Sequence, residues 1–557
     1  MDNIRVFLWL TLLGMAWLVY TAWVADYGAK PPPVSNTPPD ATQTAEQPPD
    51  LPSLTEQSPA PSVPTISAQP AQPTGELIRV QTDVLDVRIA SQGGDLVRAD
   101  LPQHRVHKDM PEPVVRLLDE SGPERWVFQS GVRSAIGGDE PNHLATFRSA
   151  SNDYALEPGQ DELVVTLDWV GDGQISAQKT YTFHRGRYEV DLTLTVTPST
   201  GGSWSGAPYV QMERVHVPVA RSYLRIDTYS FKGPVLYDGD RFTRFQFDEL
   251  AKTPVMKTTD GGWFAAIQHH FLAAAVPPPG PFRYDARTRG PAFILSAIGP
   301  TTDATAAVPI RSTFKLFVGP KLQRQLQNVG SDLERTVDYG NIITPLAQPL
   351  FYVLEWVHGW IGNWGWSIII VTILIKLLFY KLTAMSGRSM AKMRKIAPRM
   401  KALQERYKDD RQALGQAMMD LYKRENVKPA LGCVPILVQM PFFFAFYWVL
   451  VESVEMRQAP FMLWIDDLSA RDPFFVLPAL MAVAMFMQTR MSPAPPDPVQ
   501  ARMMQIMPLV FSGLLIMFPA GLVLYQLTNT TLSILQQWRI NKLVAREDAA
   551  AQAHSAH

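Results

Sequence analysis

The sequence predicts a multi-domain membrane protein in which an all-β sandwich domain precedes an α-helical transmembrane bundle carrying a helical hairpin on its cytoplasmic side. Three observations predict it. Apolar runs of about the 20 residues needed to cross a bilayer occur near the start of the chain and recur through its last third. Between them, short runs of alternating apolar and polar residues are broken by turn residues, the pattern of a sandwich. Within the apolar third lies a strongly basic amphipathic stretch, and lysine and arginine are retained on the cytoplasmic side.

The first run, Ile4 to Val24, has Arg5 at its start and Trp17, Tyr20 and Trp23 near its far end. A cleaved signal peptide would have a shorter apolar core, so residues 1–27 are read as an uncleaved anchor with a cytoplasmic N-terminus. Residues 28–75 follow as a tether: Gly28 to Thr74 holds thirteen prolines among Gln, Ser, Thr and Ala, too few apolar groups to offset the entropy of ordering.

Residues 76–321 form the predicted sandwich. Leu163 to Trp169, Thr180 to Phe183 and Glu189 to Val196 alternate, and Gly93-Gly94 and His184-Arg185-Gly186 supply turns. Its candidates for chemistry are His104, His107 and the His269-His270 pair. No metalloprotease, nucleophile-elbow or phosphate-loop motif accompanies them, so they read as surface or core histidines and the domain as a binding or spacing module. From 322 to 363 the period becomes helical through Leu326, Val329, Leu333 and Val337. The segment FYVLEWVHGWIGNW reads as an amphipathic helix in the outer interface.

Residues 364–546 are the predicted core, with spans at about 364–382, 431–451, 474–490, 503–518 and 522–538, which with the anchor make six. The hairpin covers 384–428, where Met390, Met393, Ile396, Met400, Leu403 and Tyr407 recur at three and four, followed by Leu414, Met418 and Leu421. Ala384 to Lys428 carries twelve Lys and Arg against five Asp and Glu, whereas Glu452 to Asp472 has five acids against two bases. These loops therefore face opposite sides of the membrane, and both termini face the cytoplasm. The net charge of -1 hides that asymmetry, and the single cysteine, Cys433, excludes an internal disulfide or a CxxC cluster.

Lys376 lies inside the first core span, and a charge near the centre of a membrane helix costs roughly 2.5 to 3.5 kcal/mol on insertion scales. Thr372 shares its face one turn earlier. Two readings are open: the ammonium snorkels to the interface beside Lys381, or it faces water within the protein. Gln439, Gln488, Gln505, Gln526, Thr528 and Asn529 add polar groups to the other spans. Interhelical hydrogen bonds, averaging about 0.6 kcal/mol, account for any one of them. Taken together with a cation and no deep carboxylate, they favour a hydrated groove. Met481, Met485, Met487, Met503, Met504, Met507 and Met517 suit either a lipid-facing surface or one that accepts varied apolar partners.

The segments NWGWSIIIVTILIKLLFYKLT, SMAKMRKIAPRMKALQERYKDD, GCVPILVQMPFFFAFYWVL, SVEMRQAPFMLWIDDLSARDPFF and FPAGLVLYQLTN closely resemble the bacterial YidC family of membrane-protein insertases. GGWFAAIQHHFLAAAVP and FVGPKLQRQL extend the resemblance into the large periplasmic domain of the Gram-negative members. It implies a bacterial inner-membrane insertase and chaperone, not an enzyme, with no cofactor, nucleotide or metal. Five core helices would surround a groove open to cytoplasm and lipid and closed toward the periplasm. Lys376 matches the family's positive groove residue, usually arginine, and Thr372 and Tyr525 match its substrate-contact region, while Gln526 replaces a tyrosine common there. The implied substrate-binding groove comprises Lys376, Thr372, Gln439, Tyr525, Gln526, Thr528 and Asn529. Implied partners are nascent membrane proteins, the Sec translocon, membrane lipids and, weakly through the cytoplasmic loops, the ribosome. The tail, 547–557, has no strongly basic extension for ribosome attachment. A periplasmic chaperone or receptor, with its activity in the β domain, and a transporter, which would need a midplane site and usually an internal repeat, are the other classes.

Overall fold

The computed structural model describes residues 75–555 apart from 109, 136, 138, 172–174, 200–202, 219–229, 341, 408–409, 426, 429–433 and 492–497. The expected anchor, the tether to Thr74 and Cys433 lie outside the described residues.

Residues 77–320 form two large sheets, one of 11 and one of 9 strands. The second shows most directly why the sequence folds this way. In Glu189–Pro198 every second side chain is buried along most of the strand, and its neighbours Ile175–His184 and Ile310–Pro320 alternate in phase with it. Leu192 pairs with Phe314 on one side and Tyr181 on the other, so one face of three strands presents a continuous apolar surface. Phe271–Val276 is buried throughout and is correspondingly all apolar, FLAAAV. The core between the sheets, including Val87, Leu96, Phe128, Leu192 and Phe314, continues without a break through Leu326, Leu333 and Tyr339 into Leu354, Ile368, Phe446 and Leu522 of the helical region.

A buried lysine ties the two sheets of the sandwich together. Lys179 donates from Nζ to the carbonyl of Ser130 (2.7 Å), to Ser130 Oγ (2.8 Å) and to the Gly93 carbonyl, with Asp95 Oδ1 at 3.5 Å. Burial pushes the Asp95 carboxyl up to about 7 and the Lys179 ammonium down to about 8, each opposed by the other's charge.

The predicted linking region holds the helices Gln323–Val329 and Thr344–Ile361, with a short 3-10 turn at Leu333–Thr336 between them. Thr344–Ile361 is amphipathic as expected: Leu350, Phe351, Leu354 and Val357 are buried, while Trp356 and Trp360 are exposed. Gly362 ends it in the left-handed conformation, and Asn363 caps the next helix by accepting from the Trp366 amide.

That next helix differs from expectation. The run expected to continue from Trp364 to Leu382 stops at Leu378, and a second helix, Tyr380–Arg406, leaves at 71°. Neither proline nor glycine marks the break in the sequence. At the break the Phe379 carbonyl accepts from both the Thr383 amide (3.0 Å) and Thr383 Oγ1 (3.0 Å), and the Phe379 ring packs edge-on against Phe442. The hairpin therefore begins at Tyr380 rather than 384. It closes with Arg411–Arg424, whose side chain Met418 packs with Ile396, Met400 and Val427. Val434–Glu452, Val476–Met491, Pro498–Leu515 and Ala520–Ser555 complete the helical region.

Lengths also depart from the expected spans. No single helix among the described residues is long and apolar enough to cross a membrane, although the bent pair from Trp364 passes by length and composition. The tight exit turn expected at Pro519-Ala520-Gly521 falls earlier, at 516–519, and the start of the last helix is tied down: Ala520 N donates to the Ala470 carbonyl (2.7 Å) and Gly521 N to that of Leu468 (2.9 Å). A Cβ on Gly521 would lie 2.9 Å from Leu450 Cδ2 and 3.1 Å from the Leu468 carbonyl, so a larger residue here would have to displace both.

Replacing Lys179 by Met leaves Asp95, Ser130 and Gly93 without their donor in a dry interior. Breaking a buried pair in this way costs roughly 3 to 5 kcal/mol. Lys179→Met in the full chain is therefore expected to lower the melting temperature of the β domain, followed by tryptophan fluorescence. The loss is smaller at pH 6 than at pH 8, because a protonated Asp95 no longer needs the cation. An unchanged melting temperature would contradict the account.

Candidate functional site

The last helix, Ala520–Ser555, touches the helices at 364–378, 380–406, 434–452 and 476–491, and most of the sequence-predicted polar residues meet along it. Lys376, half-buried, donates from Nζ to Ser533 Oγ at 2.7 Å, and Ser533 in turn donates to the Asn529 carbonyl at 2.8 Å. Gln439 Nε2 reaches Gln526 Oε1 at 3.3 Å. Farther along, Gln536 Nε2 donates to Thr383 Oγ1 (2.9 Å) and Gln537 Nε2 to the Gly387 carbonyl (3.2 Å). A polar seam thus joins the last helix to three others.

The remaining candidates sit differently. Thr372 is buried, and its hydroxyl bonds the Ile368 carbonyl one turn back at 2.6 Å. Tyr525 is buried with its ring stacked on Phe446, centroids 4.1 Å apart and planes inclined by 18°. Thr528 donates to the Leu524 carbonyl at 2.8 Å, and Asn529 is buried on the face that carries Ser533. The structure pairs Gln439 with Gln526 and, separately, links Lys376 through Ser533 to the Asn529 carbonyl, while Thr372 and Tyr525 are buried in the packed interior.

Profiles of two families match the chain: the "60Kd inner membrane protein" family over residues 356–547 and the "YidC periplasmic domain" family over 77–353. Curated relatives match nearly end to end. The membrane protein insertase YidC of Thioalkalivibrio sulfidiphilus is 44% identical over 98% of this chain and 99% of its own. That of Methylococcus capsulatus is 42% identical over 99% and 100%. This chain belongs to the YidC family of membrane protein insertases. A solved structure titled as an active YidC insertase with its first transmembrane domain resolved aligns over 83% of this chain and 92% of that one, at 18% identity and a TM-score of 0.38. Membership makes the chain an inner-membrane protein with a periplasmic domain.

Sequence reasoning missed Ser533 as the partner of Lys376. A signal existed: Gln526, Asn529, Ser533 and Gln537 recur at three and four, one polar stripe down the last helix. Sequence also gave no sign of the polar junction between this YidC member's β domain and its helices. Lys321 Nζ lies 3.2 Å from Glu452 Oε2, and both side chains are almost inaccessible, at 2% and 5% exposure. Ser230 Oγ donates to the other Glu452 oxygen (2.7 Å), and His269 Nε2 lies 3.1 Å from the Val451 carbonyl. Gln323 binds from its amide to Glu455 Oε1 (3.4 Å) and from its side chain to Tyr339, whose hydroxyl pairs with Ser453 Oγ (3.0 Å).

Burial pushes the Glu455 carboxyl up to about 7, and its Oε2 has no hydrogen-bond partner. A carboxyl raised in the folded state stabilises that state fully below its unfolded value near 4.5, and the contribution is lost as pH rises to about 7. Full loss amounts to roughly 3 kcal/mol. Segment 453–475 is therefore expected to open more readily at pH 8 than at pH 5, read as hydrogen exchange corrected for the intrinsic rate. Glu455→Gln is expected to flatten the dependence; an identical slope in the variant would assign the effect to another group.

Proposed function

We propose that the chain inserts membrane proteins into the bacterial inner membrane by receiving them at the polar seam along the last helix. Nascent chains engage Lys376, Gln439, Gln526, Thr528 and Asn529 with their hydrophilic parts while their apolar segments pass into lipid. Thr372 and Tyr525 support the seam from behind. The observation that carries this reading is the pairing of Lys376. Its bonded partner across the helix interface is the neutral Ser533, and among the described residues no carboxylate bonds it. A cation left with only a hydroxyl keeps most of its field for an incoming anion.

The topology belongs to the same reading: six spans, both termini and the 380–424 hairpin in the cytoplasm, and residues 453–475 in the periplasm. Contact between Glu452 and Lys321 supports it, since it joins that loop to the periplasmic domain. The apolar helix Val476–Met491 is short. At about 1.5 Å per residue, 16 residues reach about 24 Å, against a hydrocarbon core of about 30 Å. Such a mismatch is relieved by local thinning of the bilayer, which shortens the path of a polar segment. The Sec translocon and, through the hairpin, the ribosome are the partners this orientation allows.

Charge reversal tests the seam. Unit charges about 4 Å apart interact by roughly 4 kcal/mol at an effective dielectric near 20 and by about 1 in bulk water. Lys376→Arg is expected to insert clients at close to the native rate. Lys376→Glu is expected to impair a client with acidic translocated residues several-fold more than its neutralised twin, at matched protein levels. Equal losses for both clients would return Lys376 to the role of an interfacial anchor.

Topology has its own measurement. Gln416 and Asp466 are exposed on the hairpin and on the opposite loop. Single cysteines there, in a Cys433→Ser background, are expected to react with a membrane-impermeant maleimide from the cytoplasmic and periplasmic sides respectively. The reverse pattern would overturn the orientation.

A further inference from the structure

A cavity of about 460 Å³ lies between the β domain and the outer ends of the helices, away from the Lys376 seam. One wall is the turn His269-His270, which joins strands Trp263–Gln268 and Phe271–Val276. His269 sits at φ 47, in the left-handed region that a non-glycine residue adopts at a cost. Its ring stacks on that of His270, centroids 3.7 Å apart, and His270 Nδ1 is buried without a hydrogen-bond partner. Two arginines complete the polar side. Arg457 is held by the Arg105 carbonyl (2.7 Å) and lies over the Phe271 ring, while Arg471 is exposed at the rim. Asp467 also lines the cavity, but its Oδ1 is already engaged by Ser469 N (2.8 Å), Ser469 Oγ (2.7 Å) and Ala470 N (3.3 Å). Val451, Met517 and Pro519 make the opposite wall apolar.

The balance of charge is positive. Burial holds both histidines below the usual imidazole range and hence neutral at neutral pH, which leaves two guanidinium groups against one carboxylate among the lining residues. Guanidinium forks match phosphate oxygens bidentately, and a cavity of this size accepts far more than an isolated ion. Its apolar wall comes from the end of the Val434–Glu452 helix and from the turn before the last helix, where membrane helices meet the periplasmic surface. A phosphate flanked by hydrocarbon is the chemistry of a phospholipid.

We propose that this cavity is an anion site for a phosphate group, filled by the phosphodiester headgroup of an anionic lipid of the outer leaflet of the inner membrane. The lipid would then bridge the β domain and the helical region at the junction that Lys321 and Glu452 form. This inference rests on the periplasmic position of the β domain and is independent of the seam at Lys376, so failure of either leaves the other standing.

The test uses the full chain in nanodiscs of phosphatidylcholine containing one-fifth phosphatidylglycerol, released into the gas phase for native mass spectrometry. The wild type is expected to retain phosphatidylglycerol selectively. Arg457→Gln/Arg471→Gln is expected to reduce that retention about tenfold or more, since a charge-assisted hydrogen bond lost on each side has that effect. Because Arg457 also braces Arg105 and Phe271, the exposed Arg471→Gln alone and the charge-keeping Arg457→Lys are measured beside it, with melting temperatures to verify folding. Arg471→Gln should reduce retention by itself, and Arg457→Lys should restore much of it. Inorganic phosphate added to the same phosphatidylglycerol-containing discs distinguishes the sources: displacement of phosphatidylglycerol by millimolar phosphate would assign the site to the free ion and overturn the lipid reading. Equal retention of phosphatidylglycerol by the wild type and the folded arginine variants would overturn the proposal entirely.

Discussion

An ammonium group withdrawn from water must be met by oxygen, and three lysines subject to that constraint organise this molecule. Lys179 joins the sheets of the sandwich through Ser130, Gly93 and Asp95. Lys321 joins the sandwich to the helices through Glu452. Lys376 joins the first core helix to the last through Ser533. The desolvation cost in each case is offset only at the right geometry, so each pairing fixes register and orientation more strongly than apolar contact alone.

The three are not equivalent. Lys179 and Lys321 each have a carboxylate nearby and at least one carbonyl oxygen besides, as expected of charges that serve structure. Lys376 has a hydroxyl. A fully compensated charge contributes little field beyond its partner, whereas one held by a neutral group remains an electrostatic feature of the surface it faces. This difference separates the structural lysines from the one proposed to face clients.

Around these fixed points the apolar core is continuous from sandwich to helices, and polar groups at the junction are interlocked rather than scattered. Backbone bonds from Ala520 and Gly521 to the 468–470 segment add to the same joint. A β domain seated in this way is part of the outer surface of the helical region. The cavity beside His269 and His270 lies within that shared surface, where membrane and periplasm meet.

Much of this was legible along the chain, because the information is local. Period-two burial in Glu189–Pro198, the three-and-four patterns of Ile396, Met400 and Leu403 and of Leu414, Met418 and Leu421, and the Pro519 turn each depend on neighbours a few residues apart. The family was legible from contiguous motifs. The sequence also identified Lys376 as an anomaly, since a charge in an apolar run is visible without a partner. Tertiary structure alone decided what answers it: Ser533 lies 157 positions away. It likewise decided the 71° break at Phe379, which no helix-breaking residue announces, and the Lys321–Glu452 pair, 131 positions apart. The physical reason is the same in each case. Periodicity records which face of an element is buried, but the pairing of a charge and the direction of a chain depend on groups that only folding brings within hydrogen-bond reach.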